Sequence, residues 1–330
     1  ELIAICDTDI QCLTNAKDNI RKIIDEQSLQ VIFPQEFKTY EDLLLSIKLK
    51  TVKLDLIVLT TPSGLHSSQT ILAAELGINV CTEKPMATTI EDGLAMLNAC
   101  NKSKVRLFVV KQNRLNSTLQ LVKRQIEMGR FGKLSLVAVN VFWHRPQSYY
   151  DQANWRGTRD LDGGALMNQA SHYVDLLDWL VGPIDTVSAS IATLGRDIEV
   201  EDTAALQLRW KNGALGTMAV TMLTFSKNLE GSITILGELG TVRIGGKAVN
   251  DIEIWQFSEK HEDDMKVDNA SYETTSIYGF GHFDYYANLL DTLQGKAKPL
   301  CDGKEGLKSL EIIIAAYESA RSGEIKHLHL

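Results

Sequence analysis

In the first third of the chain, short apolar segments alternate with longer amphipathic segments. The apolar opening segment stops at Asp7, and charged residues at helical spacing follow, with Ile20, Ile23 and Ile24 on one side. This pattern predicts a strand that leads into an amphipathic helix. It repeats, predicting further strands at 31–33, 55–61, 79–84 and 105–110 and helices over 40–48, 67–77 and 89–102. Such alternation is typical of a parallel sheet with helices on both faces.

The pattern changes near Arg114, where the chain enters a region of longer strands. After one predicted helix, at about 116–128, apolar and polar residues alternate at 133–143, 186–194, 204–210 and 232–246. These segments favour a large, mainly antiparallel sheet with turns at Asn212-Gly213 and Gly245-Gly246. Further helices are predicted over 163–182 and 304–323, and the polar segment 259–269 is predicted to be a surface loop. We expect two domains, an α/β domain over 1–114 and an α+β domain over 115–330.

Composition and charge indicate which kinds of molecule this protein is expected to bind. The chain has 330 residues and a formal net charge of −8 that is spread along the sequence, which disfavours nucleic acid and favours small molecules. No segment approaches the ~20 apolar residues of a membrane span, so a cytoplasmic location is expected. The five cysteines have no CxxC or zinc-like spacing. They predict a reducing compartment without disulfides, and no metal site.

Asp7 is the first candidate for cofactor binding. An acidic side chain at the carboxyl end of a strand in a Rossmann-type dinucleotide-binding domain accepts hydrogen bonds from the adenine-ribose hydroxyls and repels a 2′-phosphate, which favours NAD over NADP. Capping of the following helix is the alternative, and Asp9 could share either role. A glycine-rich phosphate loop should precede such an acid by ~20 residues. The sequence begins at Glu1, so we expect that loop and the elements beside it to be missing from it.

Two later strand ends carry further candidates. Thr60, Thr61 and Pro62 end the strand predicted at 55–61, at the sheet edge where α/β folds bind ligands; an ordinary helix start capped by Ser63 is the alternative. Glu83-Lys84-Pro85 places a lysine at another strand end. Lys84 could hydrogen-bond a substrate hydroxyl beside the charged nicotinamide, which would depress the pKa of the lysine. A surface lysine is the alternative.

Acid/base chemistry is expected in the helix predicted at 163–182. Asn168 and His172 lie four residues apart and should share a helix face. An imidazole with a pKa near ~6.5 can take a hydroxyl proton as hydride leaves the same carbon, without a metal. A structural histidine is the alternative. His66 and His282 remain possible site-lining residues, and the expected surface histidines are His144, His261, His327 and His329.

Several motifs together resemble one family. EKPMA at 83–87, KQNR at 111–114 and the segments 143–158 and 162–182 resemble the Gfo/Idh/MocA oxidoreductases, and the resemblance extends from Asp7 onward. It is strongest to the branch that oxidises the 3-hydroxyl of UDP-N-acetylglucosaminuronic acid. The resemblance implies an NAD-dependent enzyme that makes a 3-keto nucleotide sugar for surface polysaccharide (lipopolysaccharide O-antigen). It also implies a homo-oligomer, a dimer or tetramer joined through the C-terminal sheets.

The resemblance assigns roles to individual residues. Lys84 matches the lysine of the family's EKP motif, His172 its catalytic histidine, and Gln112 and Asn113 the floor of its cleft. Together with the strand-end candidates, the expected cofactor site comprises Asp7, Asp9, Thr60, Thr61, Pro62, His66, Glu83, Lys84, Gln112, Trp155 and Arg156. The expected substrate site, with the uronate or diphosphate held by some of its members, comprises Lys84, Arg145, Gln147, Tyr149, Tyr150, Arg156, Asn168, His172 and Asn228.

The sequence departs from the family at one position. The residue four before the catalytic histidine is commonly Asp, whereas here it is Asn168, which can orient a hydroxyl but adds no negative charge. That exchange suits an anionic substrate. Two alternatives stay open: a related dehydrogenase that acts on a free sugar or inositol, and a non-catalytic regulator that binds NAD or a sugar.

Overall fold

Short parallel strands alternate with helices in the first part of the chain. The structure is a computed structural model that describes residues 1–274 and 279–329. The strands are β1 (Ala4–Cys6), β2 (Gln35–Phe37), β3 (Leu56–Leu59), β4 (Asn79–Thr82) and β5 (Leu107–Val109). The helices are α1 (Ile10–Glu26), α2 (Tyr40–Lys48), α3 (His66–Glu75) and α4 (Ile90–Ser103). β1 pairs with β2, and β3, β4 and β5 form a second parallel sheet in that order.

Local sequence explains where these helices begin. Asp9, Thr39 and Thr89 each cap a helix, because their side-chain oxygens accept backbone N–H groups of the first turn. The strand predicted at 31–33 is wrong. Strand β2 instead begins directly after Pro34, where the Gln35 N–H donates to Ile3 O at 2.9 Å. The side chain of Ile32 is 80% exposed, so no core buries the segment that looked like a strand.

A wide sheet dominates the second part. Its strands are β6 (Leu134–Phe142), β7 (Ile184–Ala192), β8 (Thr203–Trp210), β9 (Leu215–Thr221), β10 (Glu230–Gly237), β11 (Gly240–Gly245), β12 (Asp251–Phe257) and β13 (Lys326–His327). Their order is β12-β11-β10-β6-β9-β8-β7-β13; β6 and β9 are parallel, and the other neighbours are antiparallel. The expected large, mainly antiparallel sheet is therefore confirmed.

The second part also carries helices. They are α5 (Ser117–Glu127), α6 (Gln147–Tyr150), α7 (Ser171–Val181), α8 (Val267–Ala270), α9 (His282–Leu293) and α10 (Gly303–Ser322). Of these, α5, α8 and α10 pack against strands of the sheet, whereas α9 packs against the turn at Gln112–Leu115. Strand β8 illustrates the two faces: Ala204, Leu206 and Leu208 are buried, whereas the residues between them are exposed. Among the residues that the structure describes, no helix is both long and apolar enough to cross a membrane.

Three predicted segments differ from the structure. The helix predicted at 163–182 is interrupted, because a π-helical turn over Ala165–Gln169 precedes α7. The predicted strand at 232–246 is the hairpin of β10 and β11. The predicted surface loop at 259–269 contains a helical turn and most of α8, because the Asp264 carboxylate accepts the His261 N–H and His261 Nδ1 accepts the Asp263 N–H at the start of the turn. Strands β9, β12 and β13 and helix α9 were not predicted.

Helix α10 returns to the first part of the chain. It packs against α4 and β5 as well as against α7 and β7. Gly306 allows the close approach to β5, because a Cβ atom there would lie 2.5 Å from Val109 Cγ2. On the same helix, Ser309 accepts a hydrogen bond at 2.8 Å from the buried Lys111, which follows β5. One continuous apolar core therefore spans both parts and fixes the walls of the cleft between them.

Candidate active site

The carboxyl ends of β3, β4 and β5 meet at one edge of their sheet. Backbone hydrogen bonds from Glu83 N to Leu59 O and from Val110 N to Thr82 O continue the pairing beyond the strands. Thr61 at this edge donates its hydroxyl hydrogen to Gln69 Oε1 at 2.6 Å. Parallel α/β sheets bind ligands at this edge. The three strand-end segments predicted from the sequence therefore lie side by side.

Lys84 reaches from this edge into the second part of the chain. Its Nζ donates to the backbone oxygen of Asn168 at 3.1 Å and to Asn168 Oδ1 at 3.2 Å. Burial lowers the pKa of Lys84, and the positive charges of Lys111 and Arg145 act in the same direction. These contacts exclude the alternative of a solvated surface lysine. The lysine instead spans the cleft and can face a ligand there.

His172 is buried in the first turn of α7. Its Nε2 lies 3.3 Å from Nε2 of Gln112. Because an amide nitrogen can only donate, the imidazole accepts at this position and is neutral. Burial holds the pKa of His172 well below its ordinary value, and the charges of Lys84, Lys111 and His282 lower it further. A neutral imidazole has one acceptor nitrogen, so His172 can accept a proton at Nε2 when a substrate hydroxyl replaces the Gln112 amide there, and the surrounding positive charges limit its basicity.

A π-helical turn presents Asn168 beside Lys84. The chain enters this turn through Gly164, whose φ is +98° and where a Cβ atom would lie 2.1 Å from Glu201 Oε2. Glu201 Oε1 accepts hydrogen bonds from Leu166 N at 2.8 Å and from the Tyr317 hydroxyl at 2.9 Å. Two side chains thus hold the turn in place: Glu201, just before the start of β8, and Tyr317 of α10. Burial raises the pKa of Glu201 to about 7.

A cavity of about 260 Å³ opens beside these residues. Four of the predicted residues line it: Lys84, Arg145, Tyr149 and Asn168. Sequence reasoning missed four others: Trp143, His144, Pro146 and Gln169. The expectation that His144 is a surface group is wrong, since its Nδ1 lies 2.5 Å from Thr224 O at the cavity wall. Its position directly after the predicted strand 133–143 was the available sequence evidence.

Arg145 is held at the cavity by aromatic rings and one amide. Its guanidinium carbon lies 5.2 Å from the ring centre of Trp143 and 5.4 Å from that of Tyr149. Nη1 donates to His144 O at 2.8 Å and to Asn228 Oδ1 at 3.3 Å. The guanidinium has five N–H donors in all, so a bidentate contact to an oxyanion remains possible. Asn228 therefore orients Arg145 as part of the same site.

Three predicted site residues have other tasks. Both ring nitrogens of the fully buried His66 lie within 3.0 Å of backbone oxygens of Pro85 and Thr61, so the imidazole fixes two strand ends. The Gln147 amide is bonded to Asp151 and to the backbone of Asp197. The ring of Tyr150 is 5% exposed and lies outside the cavity lining. We correct the prediction of cofactor contact for the fully buried His66, whereas substrate contact of Gln147 and Tyr150 stays a prediction.

The other residues expected to bind the cofactor, and their neighbours in the cleft, offer polar atoms to a ligand. The exposed Asp7 carboxylate accepts the Asp9 N–H at 2.8 Å, and Asp9 in turn caps α1. Near the cleft, the buried polar atoms without a hydrogen-bond partner within the described residues include Gln112 Oε1, Asn113 Oδ1, Arg156 Nε and both amide atoms of Gln169. Orphaned buried donors and acceptors are costly unless a ligand satisfies them. A dinucleotide with its carboxamide and hydroxyl groups would supply such partners.

Two further observations concern charge at the cleft. Arg156 lies over the ring of Tyr149, at 4.2 Å from its centre, and over that of Trp155 at 5.6 Å. Arg156 Nη1 also donates to Tyr149 O at 2.9 Å, so this member of the expected cofactor site is held beside the cavity wall. In the ranges 1–274 and 279–329, no group of three or more His, Cys, Asp or Glu side chains could hold a metal ion.

Family models match nearly the whole chain. The NAD-binding Rossmann fold of the oxidoreductase family Gfo/Idh/MocA matches residues 3–111. The C-terminal alpha/beta domain of the same family matches residues 123–327. These matches confirm the expected fold class and the expected NAD cofactor.

Solved structures and curated relatives agree with these matches. The WlbA dehydrogenase from Bordetella pertussis, solved with NADH and UDP-GlcNAcA, is 54% identical, with a TM-score of 0.91 over 100% of this chain and 90% of that chain. The WlbA dehydrogenase from Chromobacterium violaceum, solved with the same two ligands, is 53% identical, with a TM-score of 0.89 over 100% and 89%. The NADP-dependent scyllo-inositol 2-dehydrogenase IolW of Bacillus subtilis is 27% identical and covers 81% of this chain and 77% of its own length. The chain therefore belongs to the Gfo/Idh/MocA family of oxidoreductases.

Proposed function

We propose that this protein oxidises the 3-hydroxyl of UDP-N-acetylglucosaminuronic acid to a ketone with NAD. The cationic cavity beside a neutral histidine is the observation that carries the proposal. Lys84 and Arg145 line the cavity, and Arg156 lies beside it. Two relatives that are more than half identical were solved with UDP-GlcNAcA and NADH.

The electrostatics of the cleft favour an anionic substrate. Burial holds the pKa of His172 well below its ordinary value, and the charges of Lys84 and Lys111 lower it further, which makes the imidazole a weak base. A uronate carboxylate or a diphosphate would offset these charges and restore basicity to the imidazole. A neutral polyol would leave the imidazole weak. This difference supports the nucleotide sugar over a free sugar or inositol.

Each residue of the cleft has a defined task in the proposed reaction. Lys84 would donate a hydrogen bond to the substrate hydroxyl and stabilise negative charge on its oxygen. His172 would take the hydroxyl proton at Nε2, where the hydroxyl would replace the Gln112 amide, as the C–H bond breaks and the C=O bond forms. NAD supplies the acceptor for the hydride. Asn168 would orient the hydroxyl, and Arg145, steadied by Asn228 and stacked near Tyr149, would hold the anionic group.

The cofactor would lie along the sheet edge. Asp7 would bind the adenine-ribose hydroxyls, and Thr60, Thr61, Pro62 and Glu83 would contact the dinucleotide along the strand ends. Gln112, Trp155 and Arg156 would surround the nicotinamide. The orphaned polar atoms of Gln112 and Arg156 support this placement.

The wider setting follows from the family resemblance. We place the enzyme in the cytoplasm, at an early step toward a surface polysaccharide, with its substrate domain beginning near residue 115. The face of β8 that carries Ala205 and Gln207 is exposed, which suits sheet-to-sheet contact in a homo-oligomer.

Substrate dependence of NADH formation tests the proposal. The purified full-length protein and NAD would be given UDP-N-acetylglucosaminuronic acid, UDP-N-acetylglucosamine, inositol or free glucuronic acid, with a 2-oxo acid added in parallel to reoxidise tightly held NADH. Turnover confined to the UDP-uronate supports the proposal. Turnover with inositol or a free sugar would replace it by the related activity. NAD binding without any turnover would leave the regulator as the interpretation.

A further inference from the structure

A buried carboxylate lies directly behind Asn168. Asp162 precedes the π-helical turn and is 1% exposed. Its Oδ2 accepts the Gly157 N–H at 2.7 Å, and its Oδ1 accepts a hydrogen bond from Asn168 Nδ2. The mechanism proposed above gives this residue no task. It is nevertheless one contact away from the side chain that Lys84 touches.

The Asp162 carboxylate determines which way the Asn168 amide points. An ionised carboxylate can only accept hydrogen bonds, so the amide must present its NH₂ group to Asp162. The amide oxygen is then directed to the other side, where Lys84 Nζ donates to it at 3.2 Å. With the opposite orientation, an NH₂ group would face an ammonium group and two oxygens would face each other. A chain of two hydrogen bonds therefore links the Asp162 carboxylate to Lys84.

We propose that Asp162 is a positioning residue, which acts through Asn168 to hold Lys84 in its protonated, substrate-facing state. The proposal rests on the proposed function in so far as Lys84 contacts the substrate hydroxyl. It also accounts for the departure from the family at position 168. The negative charge is retained one hydrogen bond further from the cavity, where it supports Lys84 without facing an anionic sugar.

The charges around Lys84 support this arrangement. Two acidic groups, Glu83 and Asp162, raise the pKa of Lys84, and two cations, Lys111 and Arg145, lower it together with burial. Removal of the Asp162 charge would leave Glu83 as the acidic group that opposes them. Burial raises the pKa of Asp162, whereas the hydrogen bonds from Gly157 and Asn168 and the charges of Lys84 and Arg156 oppose that rise and favour the carboxylate. The charge of Asp162 also acts on Glu201 and Tyr150.

The first test compares Asp162→Asn with wild type in two measurements. Competitive acetylation of Lys84 across a pH series, read by mass spectrometry, reports its pKa without substrate. We expect the midpoint of reactivity to move down by at least ~0.5 pH unit, because an opposite charge is lost. The high-pH limb of kcat should move the same way, with kcat lowered ~10-fold and the KM for NAD unchanged. Asp160→Asn, an exposed acid of the same loop, is the matched control and should change neither.

A double-mutant cycle separates positioning from simple loss of packing. In an Asn168→Ala background the further change Asp162→Asn should move Lys84 reactivity less than it does in wild type, because the connecting amide is gone and only the direct effect of the charge remains. A purely structural Asp162 would destabilise both backgrounds and move the midpoint in neither. The double variant Asp162→Asn with Asn168→Asp returns a carboxylate to the lysine and should restore the midpoint.

Two results would overturn the proposal. One is a Lys84 profile that is the same in wild type and Asp162→Asn. The other, which applies even if Asp162→Asn does not fold, is an unchanged profile in Asn168→Ala. Since acetylation needs no substrate, a shifted midpoint in a protein inactive on UDP-uronate would refute the proposed function and leave the positioning role intact.

Discussion

Nε2 of Gln112 lies 3.3 Å from Nε2 of His172, so the ring nitrogen that faces the cleft floor accepts a hydrogen bond. The contact orients an imidazole that burial keeps neutral. This relationship joins a residue that follows β5 to the first turn of α7. It is the basis of the first prediction.

Replacement of His172 by alanine should stop proton removal while sparing the cofactor site. We expect kcat to fall by ~10²-fold or more, as for a lost general base, with the Kd for NADH nearly unchanged. Steady-state kinetics and quenching of NADH fluorescence measure the two quantities. His327→Ala, in the exposed strand β13, is the matched control. Unchanged turnover in His172→Ala would remove the imidazole from the mechanism.

Loss of the Asp7 carboxylate should relax cofactor choice. Asp7→Asn removes the charge that would repel a 2′-phosphate, so the ratio of kcat/KM for NAD to that for NADP should fall by at least ~10-fold. Asp9→Asn is the control, since asparagine still caps α1 and the ratio should persist. Equal ratios in wild type and Asp7→Asn would refute the assignment, and a change in Asp9→Asn would assign the role to that residue.

Removal of the Arg145 charge should weaken substrate binding more than turnover. Arg145→Gln is expected to raise the KM for the UDP-uronate ~10- to 100-fold, because a charge-assisted contact is lost, and to flatten its dependence on salt. The KM for NAD should stay within about twofold. Arg321→Gln, in the exposed last turn of α10, should change none of these values. An unchanged KM in Arg145→Gln would place the anionic group elsewhere.

Stability should fall with rising pH because of Glu201. Burial raises its folded-state pKa to about 7 from an ordinary value of 4.5, so its neutral form stabilises the fold below the ordinary value. That contribution is lost as pH rises through about 7, and the total is roughly 3 kcal/mol at ~1.4 kcal/mol per pKa unit.

The variant Glu201→Gln checks this prediction, since it cannot titrate. Thermal unfolding of both proteins would be followed in steps from about pH 5 to about pH 8. We expect wild type to lose stability relative to the variant over this range, and the two to run parallel above it. Parallel curves over the whole range would contradict the assigned pKa.

The sequence was sufficient where a position in the fold implies a position at the site. Lys84 ends a buried parallel strand, and such strand ends converge, so its place in the cleft followed from the pattern. Asn168 and His172 were found by their spacing. The same rule, applied to the strand predicted at 133–143, would have found His144, which follows it directly.

Other features depend on contacts that no local pattern encodes. The π-helical turn that carries Asn168 requires Glu201 on one side and Tyr317 of α10 on the other. The amide side chain of Gln147 is of a type that binds sugars, but here it accepts the Asp197 N–H and holds that loop in place. The strand predicted at 31–33 does not form, because the residues that pair with β1 are Gln35–Phe37, directly after Pro34. In each case tertiary contacts decided the outcome.

The path of α10 limits how this protein can be divided. Met86 and Val109 belong to the first part of the chain, yet a helix from near the end of the sequence lies against both of them at Gly306. A fragment cut near residue 114 would expose these side chains to water. We therefore expect the dinucleotide-binding part to be less stable alone than in the whole chain. On the ribosome, the packing of its core would be complete only after almost the entire chain has been synthesised.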